Sequence, residues 1–347
     1  NIDLGDLLNA GLFSTRASAN AGLVIPEGKS VVLDLNGFTI SQSKEQTGAY
    51  QMIQNLGTPT IKDGSAAKTG KPLYGDTGNG GSYVSNTIQN SGVLTIESGT
   101  IENNSSATVA ANGYPHPIDN SGTLVINGGT FTNAANYSSM RIWCETDDNT
   151  IVTINGGTFN GSIDFQTPNS KANKGTLTIN GGTFNADTYT KTAVRLLGFG
   201  ADVDEMNGYI TGGMFNGAIA LKKYVSGEFN SKVFDITGGT FTVMYEGFDT
   251  LLANGYAFVE GENGTYTVEN VGHYTDAEGN YYITNAKGLA WVSENVNTME
   301  FYVSSSANIF DNKTVYLAND IDLGGAEWRP IGDYAFSRTS FNGVFDG

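Results

Sequence analysis

The nine residues Leu177–Asn185, LTINGGTFN, recur almost unchanged as LVINGGTFT at 124–132 and VTINGGTFN at 152–160. Each copy reads as a strand, a tight turn and a second strand. In L-T-I the side chains alternate, so Leu177 and Ile179 share one face and Thr178 takes the other. N-G-G supplies residues that tolerate positive φ, which lets the chain bend sharply. T-F opens the next strand, with Phe184 inward and Thr183 outward.

Weaker copies extend the pattern in both directions: LDLNGFTI (33–40), PTIKDG (59–64), LTIESGTI (94–101), GYITGGMF (208–215) and FDITGGTF (234–241). Aligned on their central aliphatics, the eight copies place Leu35, Ile61, Ile96, Ile126, Ile154, Ile179, Ile210 and Ile236 in one column, 25 to 35 residues apart. Strands repeating at that period, without a helical pattern, indicate a solenoid. One unit cannot bury its own apolar face, and stacking makes a continuous core. Five residues after the aliphatics stand Ile40, Ile101, Phe131, Phe159, Phe184, Phe215 and Phe241. At a rung spacing of about 4.8 Å these form an interior ladder. Upstream, IQNLG, IQNSG and IDNSG align Asn55, Asn90 and Asn120, a second ladder whose amides can bond to one another. The expectation is an all-β parallel β-helix of about eight or more rungs over residues 21–270. A lead-in or cap (1–20) precedes it, and a C-terminal module (271–347) follows. In that module Leu289, Val292 and Val296 lie at helical spacing, predicting a short helix near 285–297 capped by Thr284.

On these motifs the chain resembles right-handed parallel β-helix proteins of the pectate-lyase-like superfamily. It resembles more closely the glycine-rich ITGGTF repeats of large bacterial surface proteins, many from gut bacteria. The resemblance covers about residues 20–270 and implies the architecture and an extracellular or cell-surface location, but no particular activity. VEGENGTYTVEN (259–270) looks like a closing hairpin turning at Asn263-Gly264. KTVYLANDIDLGGAEWRPIG (313–332), leading to FNGVFDG (341–347), resembles the lead-in of GLUG-type adhesin modules, which implies the start of a second β-helix. NIDLG (1–5) echoes NDIDLG (319–324), so a tandem array, an excised piece of a longer protein and head-to-tail association through β-helix ends are all expected.

Composition narrows the function classes. A net charge of −17 with 15% charged residues disfavours nucleic acid, which needs clustered Lys and Arg, and a polybasic membrane contact. No apolar run is long enough to insert in a membrane. With 46 Gly but 7 Pro the chain is not collagen. The lone Cys144 allows no internal disulfide and reads as a small interior hydrophobe.

β-Helix enzymes acting on acidic polysaccharides need a base beside Ca²⁺-binding carboxylates, or two carboxylates at a set separation. Asp119, in register with Gln54 and Gln89, gives a polar column with one carboxylate and reads as structural. Asp147 and Asp148, in a loop with Arg141 and Trp143 nearby, form the best mixed cluster: a sugar or Ca²⁺ contact, or a solvated turn. Tyr114 and His116 join it as candidate ligand-binding residues. Asp202, Asp204 and Glu205 could hold Ca²⁺, but lack the glycine and terminal Glu of an EF-hand loop. Tyr137, Tyr189 and Tyr224 fall in variable segments suited to glycan stacking. Thr100, Thr130, Thr158, Thr183 and Thr240 align as one outward threonine column. No catalytic residue and no cofactor is assigned. The expected function is a non-catalytic extracellular bacterial surface protein, a rigid adhesin, stalk or filament module meeting a glycan or host surface. The alternatives are a polysaccharide lyase or glycoside hydrolase, and a glycan-binding module.

Overall fold

The structure, a computed structural model, describes residues 21–42, 50–74, 85–104, 115–133, 138–144, 150–167, 175–187, 191–198, 206–223, 234–244, 248–297, 309–332 and 341–347. The chain divides into two compact units: residues up to Leu251 with Glu260–Thr267, and Leu252–Val259 with Val268–Gly347.

The first unit is a β-solenoid of three parallel sheets. The first sheet stacks Ala21–Ile25, Tyr50–Asn55, Ser85–Asn90, Ile118–Asn120, Met140–Trp143, Ile163–Thr167, Thr192–Gly198 and Ala218–Lys223 in chain order. The second stacks Ser30–Asp34, Thr58–Lys62, Val93–Ile96, Thr123–Ile126, Thr150–Ile154, Gly175–Ile179, Met206–Ile210 and Phe234–Ile236. The third runs from Thr39–Gln42 to Thr240–Phe241, where Tyr266–Asn270 joins antiparallel, with Phe241 opposite Tyr266. At the turn preceding that strand, Asn263 and Gly264 both take positive φ, 64° and 70°, as the hairpin reading expects.

Both predicted ladders are present. Phe131, Phe159, Phe184, Phe215 and Phe241 stack face to face at 4.6, 4.9, 4.8 and 4.7 Å between ring centroids, all fully buried. Asn55 donates to Asn90 and Asn90 to Asn120, each at 2.6 Å, deep in the interior. Asn55 also accepts from Gly57 N–H and Asn120 donates to Gly122 O, so the ladder satisfies the two-residue corners that follow it. The column turns apolar at Ile142 and Phe165, where longer connections replace those corners.

Two sequence assignments are corrected. Leu33, not Leu35, lies opposite Ile61 in the aliphatic column. The first corner is two residues longer than N-G-G and bends through Asn36 (φ 44°) and Gly37 (φ 81°), so alignment on the NG pair shifts the register. The second correction concerns the glycines. In Asn155-Gly156-Gly157 only Gly157 has positive φ (107°). Gly156 is required by close approach: a Cβ there would lie 2.8 Å from the carbonyl oxygen of Asn127, one rung away.

The second unit contains the predicted helix, Ala286–Asn297, packing Val292 and Val296 against Ile283, Phe310 and Val315. Its cap is Asn285, one residue beyond Thr284: the Asn285 Oδ1 accepts from Gly288 N–H at 3.1 Å. Tyr281–Ile283, Thr314–Leu317 and Val344–Asp346 pair in parallel, with His273–Thr275 antiparallel at one edge.

Candidate functional site

Among the described residues, the outward face of the first sheet carries the most concentrated chemistry. Strand alternation buries Ile118, Met140, Ile163 and Val194 and turns the next residue outward. Register therefore aligns Gln54, Gln89, Asp119, Arg141, Asp164 and Arg195 on successive rungs. From Asp119 onward the column alternates acid and base. Arg141 grips Asp119 with two N–H groups, Nε at 2.9 Å and Nη2 onto the other oxygen. Arg195 grips Asp164 the same way, at 2.7 Å for both bonds. Asn86 adds a 3.0 Å bond to Asp119, and Ser162 one of 3.0 Å to Asp164. The carboxylates are almost sealed, with side-chain exposures of 8% and 2%. Burial pushes the Asp164 carboxyl above its ordinary value, opposed by Arg195 and Ser162.

His116 lies against this column and is fully buried. Its Nδ1 shares a 2.6 Å hydrogen bond with the Ser138 hydroxyl. Its backbone N–H donates to Asn86 and its carbonyl accepts from Asn103. Burial, reinforced by the Arg141 and Arg195 charges and opposed by Asp119, lowers its pKa to about 3. A histidine kept neutral in the fold but titrating near 6.5 when unfolded contributes stability above that pH and loses it as the pH falls towards 3. The expected slope is about 1.4 kcal/mol per pH unit below pH 6. Urea midpoints at pH 7 and 4.5 should show it in the native chain and a shallower acid loss in His116→Gln.

Of the predicted ligand cluster, the structure joins Arg141 to Asp119 and sets His116 beside them. Arg141 lies in the strand Met140–Trp143. Trp143 ends that strand, its backbone opposite Gln166. Tyr114, Asp147, Asp148 and the candidate Ca²⁺ ligands Asp202, Asp204 and Glu205 lie outside the described residues, as do Tyr137, Tyr189 and Tyr224. Among the described residues no three His, Cys, Asp or Glu side chains converge as metal ligands, and no helix is long and apolar enough to cross a membrane.

The reading of Asp119 as a lone carboxylate is overturned, because Asp164 stands two rungs away in its column. In the early rungs this column sits seven residues before the central aliphatic. Insertions between the first and second sheets move Arg141 to thirteen before Ile154, and Asp164 and Arg195 to fifteen before Ile179 and Ile210. The usable signal is the apolar–charged–apolar triplet, MRI, IDF and VRL, at 140–142, 163–165 and 194–196.

Chemically the column is closed. Two acids two rungs apart stand about 10 Å from each other, near the upper end of the separation used by inverting glycosidases. Each, however, already spends its oxygens on a guanidinium from the next rung. A cleft of about 120 Å³ lined by Asn160, Asn185 and Asp187 lies at the edge of the third sheet. It is well below the roughly 300 Å³ of a small-molecule pocket. Cys144 is buried, and burial pushes its thiol up to about 12. Iodoacetamide should therefore label it only after unfolding, with mass spectrometry reading the adduct.

The second sheet presents a different outer face. Its outward pairs are Thr58 and Thr60, Val93 and Thr95, Thr123 and Val125, Ile151 and Thr153, Thr176 and Thr178, then Asn207 and Tyr209. None is charged. Beside them Asn127, Asn155 and Asn180 form an exposed amide ladder, Asn155 donating to Asn127 at 2.8 Å and Asn180 to Asn155 at 2.9 Å. The sequence reading had one outward threonine column, on the third sheet, where these threonines are half-buried. The second sheet carries two columns of β-branched residues. Comparison with protein-family models, curated proteins and solved structures finds no match to this chain.

Proposed function

We propose that the solenoid is a non-catalytic, extracellular module of a bacterial surface protein, a rigid spacer of the kind found in adhesins and stalks. The observation that carries this reading is the closed Asp119–Arg141 and Asp164–Arg195 column. A catalytic face on a solenoid needs an acid or base open to substrate, and here the charges of four consecutive rungs are turned on each other. The ladders give the module stiffness, since each rung is held to the next by side chains as well as backbone. The resemblance to ITGGTF surface repeats supports the location. The parallel strands of the second unit are in keeping with a tandem of modules. Filament growth through the solenoid ends is disfavoured at one end of the third sheet, where Tyr266–Asn270 pairs antiparallel with Thr240–Phe241 and occupies the edge that a further parallel rung would need.

The test is turnover. Reducing-end and unsaturated-product assays across acidic and neutral polysaccharides should give no product with the purified chain. Product that disappears in Asp164→Asn overturns the spacer reading.

A further inference from the structure

We infer that the outer face of the second sheet binds a neutral, linear polysaccharide lying along the solenoid axis. This inference rests on the non-catalytic reading and adds a ligand class and a site to it.

Three observations select that ligand. The first is charge. The chain carries −17 overall, yet six consecutive rungs of this face hold no charged side chain in their two central columns. In the column beside them, Lys62 is paired with Asp34 at 3.3 Å and Glu97 heads the amide ladder, accepting from Asn127 at 3.0 Å. A long-range negative field repels acidic polymers, and no unpaired cation in the three columns of these rungs offers to hold them. The second is chemistry at a fixed repeat. The five rungs from Thr58 to Thr178 offer methyl groups at about 4.8 Å intervals, and on three of them Asn127, Asn155 and Asn180 add a hydrogen-bonding edge. Within the ladder, which runs from Glu97 at one end to Thr211 at the other, each amide donates one N–H and accepts one bond, which leaves a second N–H and a lone pair of each for solvent or ligand. A pyranose chain presents C–H faces and a hydroxyl edge, repeated at a similar step. Tyr209, 42% exposed at the end of the strip, adds a ring for stacking. The third is size. Five rungs by three columns span roughly 400 Å², about half of what each partner buries in a standard protein–protein interface. That suits an extended polymer better than a second protein. Val93 at 44% and Ile151 at 39% exposure show that the methyl groups are accessible.

The experiment is affinity electrophoresis in gels containing hydroxyethylcellulose, glucomannan or polygalacturonate. It compares the native chain with Thr153→Glu and Thr178→Glu on the strip and Asn155→Ala in the ladder. Equal urea midpoints verify that the variants fold. The expected result is retardation by a neutral polymer, none by polygalacturonate, and at least tenfold weaker binding in both glutamate variants. Absence of retardation by the neutral polymers, or equal retardation of the glutamate variants, overturns the inference. So do a native dimer broken by those variants in light scattering, and inhibition of ice recrystallisation without polysaccharide binding. Failure of binding with no turnover leaves the spacer reading intact, whereas polysaccharide cleavage overturns that reading and not the site.

Discussion

Phe184→Ala is expected to destabilise the solenoid by about 3–5 kcal/mol, the range for emptying a buried aromatic site. The ring sits between Phe159 at 4.9 Å and Phe215 at 4.8 Å, with no exposure. Truncation removes two stacking contacts and leaves a void that neighbours cannot close, because each is fixed by its own rung. Phe184→Leu keeps most of the volume and should lose about 1–2 kcal/mol. At the end of the ladder Phe241 stacks on one phenylalanine and meets Phe248 edge-on at 5.3 Å, so its flank differs from a mid-ladder site. Urea unfolding of the two variants, read by circular dichroism, ranks the losses. A Phe184→Ala loss below about 1 kcal/mol is inconsistent with a core that runs unbroken along the axis.

Arg195→Met should cost about 3–5 kcal/mol, because it strands the carboxylate of Asp164 at 2% exposure without its two 2.7 Å bonds. The double variant Asp164→Leu with Arg195→Met removes both charges together. It should recover most of that loss, since a buried ion pair exchanged for apolar side chains of similar size is often close to neutral. The expected signature is strong coupling between the two sites in a double-mutant cycle, with an unchanged denaturant slope.

How much of this was legible depends on where the repeat keeps a constant length. The stretch from the central aliphatic to Phe131, Phe159, Phe184, Phe215 and Phe241 never changes, so the ring ladder could be read directly from LTINGGTFN and its copies. Asn55, Asn90 and Asn120 were legible for the same reason: two-residue corners follow each of them. The acid–base column was not, since insertions after Trp143, Thr167 and Gly198 change its distance from the repeat. The first corner misled through Asn36-Gly37, which imitates N-G-G while bending two residues later. His116 stands between Pro115 and Pro117, a local context that suits a loop. Its burial depends on Ser138 and Asn86, contributed from other rungs, and no local pattern announces that.

The scaffold account turns on whether the first-sheet charges hold the fold or serve a reaction, and the stability of Asp164→Asn tests it most directly. Catalytic carboxylates are commonly held at a cost to stability, so neutralising one tends to stabilise the protein. A carboxylate that staples rungs behaves oppositely, because its loss removes the charge that accepts both 2.7 Å bonds from the part-buried Arg195 guanidinium. Urea titration at pH 7 should show Asp164→Asn less stable than the native chain by about 3–5 kcal/mol. A variant more stable than the native chain contradicts the account and makes the column a candidate active site.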